Sequence, residues 1–277
     1  MRASTGNLLV LTDLAPRSDP AVRLAGSLSL AHGWCLRVAH VLGLSGAGRG
    51  DGIPDFTELH ARILAADREA RAQMLRLIPG MVRPTAPLID LDGPSGALVR
   101  HAAQLRPVLV VLPFAWDWDR SGRDPTALAP ALLERVSAPL LFVGDAVRAP
   151  IRRVLILVAP QALESTLVAD AGHWAAWLNG ALDVGPHAGA PEVEIALLEA
   201  GAAGRDWTAL FDSAPADLLI LPRTSLKTDA CDAVHEAFKA VLAGAPAPTL
   251  VPSAMGRTPP ASGARTLEYH GYVRRPA

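Results

Sequence analysis

Asp13 follows the apolar run Leu8-Leu-Val-Leu11 after a single threonine. A carboxylate at the end of a buried strand can accept a hydrogen bond from a ribose or another polar ligand, or it can cap its own turn, here Pro16-Arg17-Ser18. Both readings stand. His40 closes a second run, Leu36-Arg-Val-Ala-His-Val-Leu42, with no cysteine or second histidine at ligand spacing beside it. It reads as a satisfied strand-end histidine rather than a base or a metal ligand. A third stretch, Leu112 to Asp124 (LPFAWDWDRSGRD), stands directly behind Pro107-Val-Leu-Val-Val-Leu112. A loop that grips phosphate there would be glycine-rich, so that successive backbone N–H groups converge on the anion. Pro113 has no N–H to offer. Trp116 carries bulk where the backbone must approach closely, and Asp117, Asp119 and Asp124 add negative charge that Arg120 and Arg123 offset in part. Two like charges about 4 Å apart repel by roughly 4 kcal/mol at an effective dielectric of 20. The loop disfavours a triphosphate. Trp116 and Trp118 either form an exposed recognition pair or fold back into the cleft, since large exposed apolar patches are uncommon on soluble proteins.

Other chemistry is thinly represented. There is no Gly-x-Ser-x-Gly elbow and no His-Glu-x-x-His, so nothing marks an enzyme. Gly43-Leu-Ser-Gly-Ala-Gly-Arg-Gly-Asp-Gly52 looks like a phosphate cradle but follows the second strand rather than the first, and reads as a flexible loop whose Arg49-Gly50-Asp51 is chance. The chain has 277 residues, 19% of them charged, and a net charge of -1; nothing in that balance attracts nucleic acid or an anionic membrane. Two cysteines, Cys35 and Cys231, make neither a disulfide framework nor a metal site, and with no charged-then-apolar leader or membrane-length apolar run the expected location is cytoplasmic.

The elements that must position these residues are short apolar runs: Leu8–Leu11, Leu36–Leu42, Leu88–Leu91, Val108–Leu112 and Leu140–Val143. Between them lie segments of helical period, Ala21, Leu24, Ala25, Leu28 in one and Leu59, Ile63, Ala66, Ala70, Met74, Leu77 in the next. Continuous rather than alternating apolar strands indicate a parallel sheet covered on both faces. The fold class is therefore α/β, with a complete doubly wound domain over residues 1–146.

The second half repeats the ends of the first. Val10–Pro16 aligns with Val154–Pro160, Leu109–Pro113 with Leu218–Pro222, and Ala138–Val143 with Ala247–Pro252. The first pair is offset by 160 − 16 = 144 residues and the others by 222 − 113 = 109, so the second copy is 144 − 109 = 35 residues shorter between its first and fourth strands. What remains is a helix from Leu163 to about Leu178, an apolar stub Ala181–Val184, a turn-rich Gly185–Pro191 and a run Val193–Leu198. Gly185–Pro191 is too short for a parallel crossover. The expectation is two tandem doubly wound parallel-sheet domains, the second (147–252) truncated or carrying an antiparallel edge and lacking its second crossover helix. Residues 253–277 read as a mobile tail, in which Thr266–Val273 could add at an edge. Trp174 and Trp177, three apart on a helix, indicate core or a domain interface.

In this order and spacing, Leu9-Val-Leu-Thr-Asp13 followed by Ser18, Ala21 and Leu24, then Ala39-His40-Val41, then Gly93-Pro94 with Ala97, Leu98 and Ala102, then Ala138–Val143, the chain resembles the universal stress protein family in its tandem form. The second half matches more thinly. The resemblance implies an adenine nucleotide alpha hydrolase-like sheet of order 3-2-1-4-5, paired with a sister domain through the last strands. It also implies an acid after the first strand that contacts the nucleoside, and a Gly-x2-Gly-x9-Gly-Ser/Thr pattern around the phosphates. Asp13 matches the acid, while its counterpart in the second half is Leu157. The glycine pattern falls on Pro113, Trp116, Thr126 and Ala127 in the first half and on Pro222, Ser225, His235 and Glu236 in the second, with no glycine kept in either. An altered nucleotide cleft would therefore comprise Asp13, Val41, Trp116 and Thr126, with no catalytic residue, no metal and no cofactor; ATP or AMP is the alternative. The expected role is a non-catalytic stress-response protein acting through a protein partner or self-association or as a pseudo-dimer scaffold, with a nucleotide-binding sensor as the alternative.

Overall fold

The computed structural model of the chain describes residues 6–42, 56–78, 80–81, 85–91, 94–114, 133, 135–144, 147, 150–163, 166–182, 191–197, 216–223, 247–252 and 271–274. The chain divides into two compact units at Ala138 and Pro139.

In the first unit, strand β1 (Asn7–Thr12) lies between β2 (Cys35–Val41) and β4 (Leu109–Pro113), with β3 (Leu88–Asp90) outside β2, and these pairings are parallel. Leu8, Leu9 and Val10 are wholly buried, as a strand enclosed on both faces must be. Helix α1 (Asp19–His32) begins with Pro20 in its first turn, and its C-cap, Gly33, has φ 64°, returning an N–H to the carbonyl of Ser29. Its buried stripe of Ala21, Leu24, Ala25 and Leu28 packs on β1 and β4. Helix α2 (Phe56–Leu77) packs against α1 and buries Ala66, Ala70, Met74 and Leu77; Ile78, just beyond its end, fills the space a side chain on Gly26 would need. Helix α3 (Pro94–Leu105) runs against β2.

The second unit contains β5 (Leu140–Val143), β6 (Arg153–Val158), helix α4 (Leu167–Ala181), β7 (Glu192–Leu197), β8 (Leu218–Ile220), β9 (Thr249–Val251) and β10 (Gly271–Arg274). Its strands run in the order β10-β7-β6-β8-β9-β5. All neighbours are parallel except β5 and β9, the last apolar strands of the two sequence halves, which pair antiparallel with Leu140 opposite Val251.

Two sequence expectations are corrected here. Ala181–Val184 does not begin a strand: α4 extends to Ala181 and Leu182 lies in the turn that follows. The run beginning at Val193 is thus the next strand after β6, beside it along all six residues, and α4 is the crossover between them. Nor does the unit carry an antiparallel edge at β7. The third position is taken by β10, parallel to β7 with Gly271 opposite Val193, so five parallel strands stand in the order that the first half was expected to show. The edge addition expected of the segment near Val273 is the device that completes them. Trp174 and Trp177 are buried, their rings edge-to-face with centroids 5.4 Å apart.

Candidate functional site

At the carboxyl end of β1 the chain order reverses, because β2 and β4 leave on opposite sides; a crevice at such a point is where open α/β sheets hold ligands. Asp13 is the first residue past the strand. Its Oδ1 accepts from the N–H of Ala15 at 3.0 Å and from the hydroxyl of Ser18, and its Oδ2 accepts from Nε of Arg17 at 2.6 Å. The side chain is only 11% exposed. Three donors from its own turn therefore surround the carboxylate, the geometry of an Asx turn reinforced by an ion pair. Thr12 adds to this turn. Its hydroxyl accepts from the N–H of Leu14 at 3.0 Å and donates to Oε1 of Gln73 at 2.8 Å. Leu14 has φ 65°, a left-handed conformation that costs a non-glycine residue roughly 1–2 kcal/mol; the bonds on either side of it hold it there.

Val41, the last residue of β2, lies opposite Asp90, the last residue of β3. His40, the residue before Val41 and the partner of Thr12 on β1, is buried, and its Nδ1 donates to the carbonyl of Thr12 at 2.8 Å. A carbonyl only accepts, so the neutral ring carries its proton on Nδ1. Burial holds His40 below the usual histidine value, opposed by the bond to Thr12 and by the charges of Asp13 and Glu69. Further along the same edge Asp90 is engaged by Arg100, and Nε2 of His101 lies 3.1 Å from Oδ2 of Asp90. Burial also lowers His101, against the pull of Asp90. Trp116, Trp118 and Thr126, with the rest of the loop after Phe114, lie outside the described residues, as does Gly43–Gly52. Pro113 is the buried end of β4.

Sequence reasoning singled out Asp13, Val41 and His40 and missed the bonds behind them. Gln73 lies on the buried stripe of α2, one position before Met74; besides Thr12 it reaches Asp19, to which Nε2 donates at 2.8 Å, and Arg76 donates to the same carboxylate. The legible signal was a glutamine at a core phase of an amphipathic helix, which requires a polar partner.

The second unit repeats the backbone of the turn without its chemistry. Pro160–Ala162 forms the same single 3-10 turn as Pro16–Ser18, the N–H of Ala162 bonding to the carbonyl of Ala159 as that of Ser18 does to Ala15. Counting back from the two prolines, Thr12, Asp13, Arg17 and Ser18 become Ile156, Leu157, Gln161 and Ala162, and Ile195 stands opposite Ile156 where His40 stands opposite Thr12. Leu157 is 1% exposed. Burial lowers the guanidinium of Arg223, which follows Pro222 beyond β8. Among the described residues no group of three or more His, Cys, Asp or Glu could hold a metal ion, and no helix is long and apolar enough to cross a membrane.

The sequence matches no protein-family model and no curated protein sequence. Solved structures do resemble it. A universal stress protein from Archaeoglobus fulgidus DSM 4304 is similar over 89% of this chain and 96% of its own, at 14% identity and a TM-score of 0.53. A universal stress protein in complex with cAMP covers 52% of this chain and 99% of its own, at 20% identity and a TM-score of 0.37. One from Archaeoglobus fulgidus in complex with dAMP covers 50% and 98%, at 12% identity and 0.36. The first likeness shows the fold: this chain has the mixed α/β, mostly parallel architecture of universal stress proteins.

Proposed function

From a chain that shares the universal stress protein fold, we propose a non-catalytic stress-response protein that works by holding a protein partner or a second copy of itself, its phosphate grip lost. The observation that carries this reading is the engagement of Asp13. A carboxylate already accepting from Ala15, Arg17 and Ser18 can take a ribose hydroxyl only by giving up a charge-assisted bond or by using its remaining lone-pair position. Leu157 offers no acceptor, and the strands that would feed phosphate loops end at Pro113 and run into Pro222, neither of which has an N–H. The low net charge favours neither a nucleic acid nor a membrane as partner, and the cytoplasm is the compartment this reading assigns.

A second reading, a nucleotide sensor with one altered site formed by Asp13, Val41, Trp116 and Thr126, is favoured by the place of Asp13 at the point where the strand order reverses. Titration of the protein with ATP, AMP and cyclic nucleotides, followed by tryptophan fluorescence and calorimetry, separates the two. No saturable signal is expected. Saturation in the micromolar range that disappears in Asp13→Ala would establish the sensor, and turnover of a nucleotide would remove the non-catalytic reading.

A further inference from the structure

The third strand position is filled in different ways in the two units. In the first, β3 arrives through α2, in the ordinary sequence of strand, crossover and strand. In the second, the chain places β8 and β9 first, and only afterwards does β10 come back to lie outside β7. Val193 and its partner Gly271 are 271 − 193 = 78 residues apart, and 19 residues, 252–270, separate β9 from β10. The pairing is also partial: β7 pairs with β6 along Glu192–Leu197, while β10 covers Val193–Ala196.

A strand edge presents unpaired N–H and C=O groups that any extended segment of suitable register can satisfy. Strands inserted through a crossover cannot leave without unravelling the helix that delivers them. β10 does not follow β7 through a crossover but is reached after β8 and β9, and among the described residues its ladder is the one with β7. We infer that the outer edge of β7 is a parallel strand-acceptor site, occupied in cis by β10 and able to take the same strand from a second copy of this chain when its own is displaced. A tethered strand meets its edge at an effective concentration on the order of millimolar, so the cis strand excludes the second copy at ordinary protein concentrations. Exchange is expected only where the cis strand is disabled or the protein is very concentrated. This inference does not depend on whether the first unit binds a nucleotide.

The test uses the full chain carrying Tyr272→Pro or Val273→Pro. Successive residues of a strand point their N–H groups to opposite sides, so one of the two prolines removes a bond to β7. A labelled peptide of residues 267–277 is titrated against both variants and the original protein by fluorescence anisotropy. The variant with the disrupted ladder should capture the peptide at least ~10-fold more tightly than the original protein, whose edge is filled. A peptide bearing the same proline should not bind. Equal binding to all three proteins, or binding to none while the variants keep their native circular dichroism, would overturn the inference. Should the variants fail to fold, hydrogen exchange on the original protein decides. The β7 amides that donate outward should exchange through a local opening insensitive to low denaturant, ahead of those that donate to β6. Exchange of both sets together, through global unfolding, would show that β10 is an inseparable part of the sheet.

Discussion

The turn after β1 and the turn after β6 have the same 3-10 backbone following a proline, yet the strands before them end differently. β1 stops at Thr12, four residues before Pro16, whereas β6 continues to Val158, two before Pro160. In the first unit, Thr12 and Asp13 supply side-chain acceptors that draw the N–H groups of Leu14 and Ala15 off the ladder, and the chain turns through a left-handed residue. In the second, Ile156 and Leu157 have no acceptor to offer, so the backbone keeps its ladder partners on β7 up to Leu197. Polar side chains that compete with the sheet go with an early strand end; apolar ones go with a strand that runs on.

The comparison can be broken at its buried side first. Leu157→Asp places an unpaired carboxylate at a position 1% exposed, and the expected loss is about 3–5 kcal/mol in chemical denaturation; a stable variant would mean that the second turn can open as the first does. Next in size is Asn179→Ala. Asn179 is buried and clamps Ile151, accepting from its N–H at 2.7 Å and donating to its carbonyl at 2.9 Å. Its removal should cost about 2–3 kcal/mol, read by urea unfolding, and would show that the second unit keeps its polar anchor at the amino end of β6. Asp13→Ala removes the acceptor that three donors of a part-buried turn share, for an expected loss of about 1–2 kcal/mol, with hydrogen exchange at Leu14 and Ala15 accelerated and the second unit unaffected.

The smallest effect is set by pH. His40 has its folded value depressed by burial, so the unfolded chain binds the proton more readily. Its contribution is complete above the unfolded value of about 6.5 and is lost as pH falls from there through the depressed folded value. His32 and His101, also in the first unit and also lowered by burial, act in the same direction. Stability measured between pH 8 and pH 5 should fall toward acid, with the loss localised to the first unit by hydrogen exchange and reduced in His40→Gln. A loss equal in both units would remove His40 from this account.

The apolar runs were enough to find β1 to β9; the periodic residues of α1 are buried, while in α2 Ala66, Ala70, Met74 and Leu77 are buried, Leu59 and Ile63 are half-buried, and Gln73 is a buried residue the period did not name. The same local reading placed β7 but miscounted the strands before it. It took Ala181 for the start of a strand because the helical stretch reads as finished near Leu178, and an apolar stub carries no mark of whether a helix continues through it. Having counted one strand too many before Val193, it found no room for a crossover and expected an antiparallel edge. At the site, Asp13 was legible as a carboxylate with two possible roles, one of them the cap of the turn that contains Arg17, but Gln73 as the partner of Thr12, 61 residues away, depended on which helix faces met.

By itself the sequence determined the class of fold, the halves and their shared strand-turn punctuation, and the loss of an acid at Leu157, since all of these follow from side-chain type and local spacing. Only the tertiary structure decided that β10 stands beside β7, that β5 and β9 run antiparallel, and that the carboxylate of Asp13 is taken up by its own turn. Pairing of strands is a contest between backbone edges that are chemically alike, and it is settled by which edge is left open once the intervening chain has packed, 78 residues apart in the case of Val193 and Gly271.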